Sequence, residues 1–131
     1  MSQIQSQSQL TLSKSQIAYR NLTETCKSQA TLRLYKKSLR FFMQFLKLET
    51  NQYDILLDKD EKLIQEDLIG FISHMKGKQA ASASIKAYVA DLKRFYDLND
   101  ILLNWKKIKS FEPANTNNKF LIVGVNLTSK M

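Results

Sequence analysis

Residues 28–48 read SQATLRLYKKSLRFFMQFLKL, and this stretch decides the fold class of the chain. At about 100° per residue, its main apolar residues fall within roughly 60° of one another on a helix: Tyr35, Leu39, Phe42 and Leu46. Others widen that side: Leu34, Phe41, Phe45 and Leu48. The opposite side is purely basic: Arg33, Lys36, Lys37, Arg40 and Lys47. The pattern predicts a helix from Ser28, as N-cap, to Leu48, with one buried face and one face suited to an anion.

Further apolar stripes at helical spacing predict three more helices. They span about 65–76, 82 or 84 to 98, and 101–110. The acidic stretch 49–62 is predicted to be a loop, and a short helix or turn around 17–25 is expected to dock only weakly. No useful strand pattern precedes Phe120, so the fold class is all-α, a four-helix domain.

The domain organisation can be read from composition along the chain. Residues 1–16 are mostly Ser and Gln and are predicted to form a disordered arm. Residues 17–113 are predicted to form the helical domain, which Pro113 closes. Residues 114–131 are an Asn-rich linker and a tail of strand-like residues from Phe120, for which the pattern predicts no definite structure.

Charge points to the class of partner. The chain of 131 residues carries 20 Lys and Arg against 12 Asp and Glu, a formal charge of +8. The acids gather between Glu49 and Asp67, so one basic and one acidic side are expected, with binding through phosphates. Ordinary solvated helix faces are the alternative. No secretory or membrane-spanning pattern is present, and a cytoplasmic, non-membrane protein is expected.

Catalytic and metal sites are not expected. Cys26 is the single cysteine and His74 the single histidine, so no internal disulfide, metal site or cofactor is predicted. Cys26 is interpreted as an inert thiol and His74 as a surface residue. Ser82 and Ser84 lie at the start of the third predicted helix. There they would either help the free backbone N–H groups to bind a phosphate or act as ordinary N-caps.

The serial order of these segments resembles a known family. It runs through SQATLRLYKKSLRFFMQFL (28–46), LIQEDLIGFISHMKGK (63–78), SASIKAYVADLKRFYDLND (82–100) and NWKKIKSF (104–111). These segments resemble the N-terminal core-binding (SAM-like) domain of tyrosine recombinases of the phage-integrase type. The resemblance covers about Ser28 to Pro113 and rests on the four helices with their spacings, not on a single motif.

The resemblance implies a domain that forms half of a clamp around double-stranded DNA, in the context of DNA integration and recombination. Carried onto this chain, the phosphate-holding residues would be Lys76, Lys78, Lys106, Lys107 and Lys109, with Lys86 and Arg94 close by. Lys36, Lys37 and Arg40 come from the helical-wheel argument instead and form a secondary set.

The chain departs from the family after residue 113. The family's catalytic domain supplies arginines and a nucleophilic tyrosine, whereas Arg94 is the last arginine here and Tyr96 the last tyrosine. We therefore expect a non-catalytic DNA-binding protein, not an enzyme: a truncated recombinase, a separately encoded half, or a fragment. Other recombinase subunits are further expected partners, and no small-molecule substrate is expected. The alternative is a helical interaction module that binds an acidic protein or an intact recombinase.

Overall fold

The computed structural model describes residues 12–114, and this part of the chain is all-α, with six helices and no strand. The helices are α1 Lys14–Thr25, α2 Gln29–Phe45, α3 Tyr53–Leu57, α4 Glu61–Gly77, α5 Ser82–Leu98 and α6 Trp105–Lys109. The all-α prediction is confirmed. The four predicted helices correspond to α2, α4, α5 and α6. Helix α1 corresponds to the short helix or turn expected around 17–25, and α3 is added to them.

Polar side chains set several helix starts. Ser28 caps α2, its Oγ accepting from the backbone N of Thr31 at 3.1 Å, as predicted. Asp60 caps α4, so this helix begins four residues before the predicted Gln65. Asn104 caps α6, which starts at Trp105 rather than Ile101. Ala81 occupies the N-cap of α5 and makes no side-chain cap bond, so the capping interpretation of Ser82 and Ser84 is wrong.

The predicted loop at 49–62 contains the short helix α3, which the Asn and Asp residues around it concealed in the sequence. Leu56 of α3 is buried, and its carbonyl accepts a hydrogen bond from the hydroxyl of buried Tyr96 at 3.2 Å. That hydroxyl satisfies a buried backbone acceptor, so α3 belongs to the core.

Helix α1 is docked firmly rather than weakly. Ala18 and Leu22 are fully buried, and the Asn21 amide donates to Asn99 Oδ1 at 3.0 Å. The helix begins at Lys14, before the predicted end of the N-terminal arm, so residues 14–16 are helical. Residues 1–11 and 115–131, which hold most of the predicted arm and nearly all of the linker and tail, lie outside the described residues.

The core forms where α2 crosses α4 and α5. Leu39, Phe42 and Met43 are buried on α2, and the Phe42 ring lies edge-on to Phe71 of α4, with centroids 5.3 Å apart. Leu34, assigned to the apolar face, is 59% exposed. It lies about 100° from Tyr35, at the edge of the buried arc, where no helix covers it.

Three contacts fix the direction of α5 relative to α2. Arg94 lies over Tyr35, Asp91 accepts a hydrogen bond from Ser38, and Tyr88 packs edge-on against Phe41. Residue numbers that increase along α2 therefore pair with residue numbers that decrease along α5, so the two helices are antiparallel. The start of α5 consequently lies beside the end of α2.

Candidate functional site

The end of α4 joins the same end of the bundle. Phe45, the last residue of α2, lies 5.1 Å from His74 of α4, measured between ring centroids. A groove of about 330 Å³ runs between the two helix ends, and Lys47 and Lys78 both line it. Since α5 begins here too, four lysines from three elements share this end of the bundle: Lys47, Lys76, Lys78 and Lys86. We call these four lysines the basic end.

Helix α6 extends the basic end along α4. The backbone N–H of its N-cap residue Asn104 donates to Gln65 Oε1 at 2.8 Å, and Lys76 Nζ donates to the Phe111 carbonyl at 3.0 Å. Residues 104–111 therefore run beside α4 from its first turns to its last.

Ile108 is fully buried and anchors α6. At 100° per residue, the flanking lysines are turned away from that anchor, and all three are exposed: Lys106, Lys107 and Lys109. These three lysines are among the residues for which the resemblance predicts phosphate contacts, and their side chains have the exposure that such contacts need.

Two cations of the secondary set border this region from α2. Lys37 and Arg40 are exposed, and both lie over the Phe41 ring, at 5.8 Å and 5.4 Å from its centroid. Phe41 in turn packs on Tyr88 of α5, close to Lys86 in the chain. Lys37 and Arg40 therefore flank the side of the bundle where α2 and α5 meet.

Segment 111–114 lies across the start of α5 and occupies part of the candidate site. The Ser82 hydroxyl donates to the Ala114 carbonyl at 3.2 Å, and Lys86 Nζ lies 3.5 Å from Glu112 Oε1. The Glu112 side chain is only 12% exposed, so its carboxylate is held in place. Ser84, in the first turn of α5, has no side-chain hydrogen bond within the described residues.

Arg94 and Lys36 lie apart from the candidate lysines of the basic end and of α6. The Arg94 guanidinium donates to the Thr25 carbonyl at 3.2 Å and lies over Tyr35, so it joins the end of α1 to α2. Lys36 faces α1 instead, with Nζ 5.1 Å from the centroid of Tyr19. The Tyr19 hydroxyl beside it raises the pKa of Lys36, which keeps that amine charged.

Two residues of the candidate site, Lys47 and Glu112, were not assigned to it from the sequence. Lys47 stood on the basic side of the helical wheel, but only the meeting of the α2 and α4 ends places it beside Lys78. Glu112 is the only acidic residue after Asp100 and follows several lysines in the sequence. That isolation indicates that its carboxylate could pair with a nearby lysine.

Charge is unevenly paired across the described part of the chain. Its four ion pairs join Lys14 to Asp58, Lys59 to Asp67, Lys86 to Glu112 and Lys93 to Asp97. Among residues 12–114, no carboxylate lies within 4.0 Å of the other candidate lysines: Lys36, Lys37, Lys76, Lys78, Lys106, Lys107 and Lys109. These side chains retain their capacity to bind an external anion.

Metal and membrane features are absent from the same range. Residues 12–114 contain no group of three or more metal-ligating side chains. No helix within them combines the length and the apolar character that crossing a bilayer requires.

Comparison of the chain with protein-family models, with curated proteins and with solved structures finds no match.

Proposed function

We propose that this chain binds double-stranded DNA through the basic end and the lysines of α6, as a non-catalytic core-binding module of recombinase type. The observation that carries the proposal is the convergence of α2, α4 and α5 at one end of the bundle, where Lys47, Lys76 and Lys78 have no carboxylate within 4.0 Å among residues 12–114. Phosphate contacts of this kind are the main source of affinity for duplex DNA.

The acidic residues of α4 and its N-cap support the proposal by their distance. Asp60 caps α4, Glu61 is its first residue and Asp67 lies in its second turn, whereas Lys76 lies near its end. The helix rises about 1.5 Å per residue, so roughly 14 to 24 Å separates these acids from Lys76. That exceeds the Debye length of about 8 Å at physiological ionic strength, so the acids scarcely weaken the field at the basic end.

The proposed mechanism is electrostatic and geometric. The exposed lysines would neutralise phosphates and release counterions, while the packing of α6 along α4 sets their spacing. Lys37, on the adjoining side, would extend the contact along the backbone of the duplex. No catalytic step is assigned to this chain.

Charge reversal at single positions tests the proposal. Lys78→Glu and Lys107→Glu should each weaken binding to a fluorescein-labelled duplex by about tenfold or more at 0.1 M salt, because each loses one phosphate contact and gains repulsion. Lys62→Glu is the matched control, since Lys62 is exposed at the other end of α4 and makes the same charge change. We expect less than about a twofold effect from that control.

Fluorescence anisotropy measures all three affinities, and thermal unfolding confirms that the variants fold alike. Equal weakening by Lys62→Glu would show that net charge, not the basic end, governs binding. No binding by the parent chain at low salt would refute the proposal. The same surface would then be assigned to an acidic protein partner.

A further inference from the structure

A second surface lies between α1, α2 and the segment that enters α3. It is a groove of about 750 Å³ whose lining includes Ser15, Tyr19, Lys36, Arg40, Asn51 and Tyr53. The volume of the groove falls within the range of about 300 to 1,000 Å³ that is typical of small-molecule sites. No small-molecule substrate is expected from the sequence, and nothing in the duplex proposal uses this groove.

The aromatic wall of the groove is held in place by the backbone around it. The Ser15 hydroxyl donates to the Asn51 carbonyl at 2.6 Å and accepts from the backbone N of Tyr53 at 3.2 Å. These bonds fix Tyr53 against α1, where its ring stacks with Tyr19 at 6.1 Å between centroids and 26° between planes. The wall is therefore preformed, which lowers the entropy cost of binding.

Tyr19 is the more accessible member of this aromatic pair. Tyr19 is 41% exposed, whereas Tyr53 is half-buried between Tyr19 and Phe95. Lys36 Nζ lies 5.1 Å from the centroid of the Tyr19 ring. When this flexible side chain turns to a phosphate, a flat aromatic ligand can stack on Tyr19, since a tyrosine ring stacks with any base.

Two cations stand next to that wall. Lys36 and Arg40 are four residues apart on α2, on neighbouring turns of one helix face, and both line the groove. Within residues 12–114 neither has a carboxylate within 4.0 Å. Arginine offers a fork that matches a phosphate and lysine adds a compact charge. An aromatic surface and a paired cationic site thus lie within one preformed groove.

We propose that the groove between α1 and α2 binds a nucleoside monophosphate, with the phosphate on Lys36 and Arg40 and the base stacked against Tyr19. The polar side chains of Thr50 and Asn51 line the same groove and offer hydrogen bonds to the edge of the base or to the ribose. The site stands on its own geometry and is independent of duplex binding at the basic end.

Titration of the full chain with AMP, GMP, CMP and UMP tests the proposal, by isothermal calorimetry and by ¹H–¹⁵N chemical-shift mapping. At least one nucleotide should bind saturably, about tenfold more tightly than inorganic phosphate or the corresponding nucleoside alone. The shifts should centre on Tyr19, Lys36 and Asn51. An excess of unlabelled duplex should not displace the nucleotide.

Substitutions sharpen the assignment. Lys36→Gln, Arg40→Gln and Tyr19→Leu should each weaken nucleotide binding at least fivefold. Lys37→Gln is the matched control on the adjacent side of α2 and should change it by less than twofold. Unfolding midpoints establish that each variant is folded.

Three results would overturn the proposal. They are the absence of saturable binding, equal sensitivity to Lys37→Gln, and displacement by duplex, which would make the groove part of the duplex surface. Loss of duplex binding in Lys78→Glu with nucleotide binding intact would separate the two sites, so that either proposal can fail alone.

Discussion

The ion pair between Lys86 and Glu112 gives the sharpest prediction about the candidate site. Glu112→Gln removes the one carboxylate that lies within 4.0 Å of the candidate lysines in the described residues. It leaves the size and hydrogen-bonding capacity of the side chain nearly unchanged. The pair spans 3.5 Å, and Lys86 remains 40% exposed, so its contribution to folding should be only about 0.5 kcal/mol or less.

The effect on binding should be larger and of opposite sign. Freeing Lys86 for a phosphate adds about 0.9 released counterions, and at 0.1 M salt this corresponds to roughly 1.2 kcal/mol. Duplex affinity should therefore rise about three- to eightfold, and the slope of log K against log salt should steepen by about one. Fluorescence anisotropy at several salt concentrations measures both quantities.

Asp97→Asn supplies the control. Asp97 pairs with Lys93 at 2.7 Å toward the other end of α5, so this variant makes the same change in net charge and also frees one lysine. Its affinity should rise by less than about twofold. Equal gains from the two variants, or a loss of affinity in Glu112→Gln, would refute the placement of Lys86 in the interface.

Three further predictions concern folding. Phe42→Ala should destabilise the fold by about 3 to 5 kcal/mol in urea unfolding, because Phe42 is fully buried, whereas Leu34→Ala should cost less than about 0.5 kcal/mol. Burial raises the pKa of Asp91 above its ordinary 3.8, so the native state holds this proton more tightly than the unfolded chain does. The native state therefore loses stability as pH rises from the unfolded-state pKa through the higher native-state pKa. Asp91→Asn should therefore gain stability over the parent chain as pH rises from about 3.5 to 7, and a constant difference across that range would contradict this. Arg94→Ala should cost about 1 to 2 kcal/mol through its lost bonds to Thr25, with duplex affinity changed by less than about twofold; a larger loss of affinity would place Arg94 in the interface.

The helices were predictable because their apolar residues follow a helical period. Helix starts were less predictable, since a cap such as Asp60 stands several residues before the apolar stripe of its helix. The burial of Ser38, whose hydroxyl donates to Asp91 Oδ2 at 2.6 Å, was not predictable, because a tertiary partner 53 residues away leaves no local pattern. The predicted burial of Leu34 was wrong for the converse reason. An apolar residue at the edge of a helix face is buried only where a neighbouring element covers it.

The candidate site was predictable residue by residue but not as an arrangement. The sequence identifies Lys76, Lys78 and the lysines of α6 as a basic group, yet it does not say which helix ends coincide. The antiparallel crossing of α2 and α5 brings Lys47 and Lys86 to that end. The groove beside Tyr19 was not predictable, because it requires α1 and α3, one expected to dock weakly and the other expected to be a loop.

The salt dependence of duplex binding tests the central claim most directly. If four to six phosphates are neutralised by the basic end and α6, log K should fall against log salt with a slope of about −4 to −5. Affinity should then drop roughly 500-fold between 50 and 200 mM salt, and Lys78→Glu should make the slope shallower by about one. A slope near zero, or no duplex binding at 50 mM salt, would contradict the account.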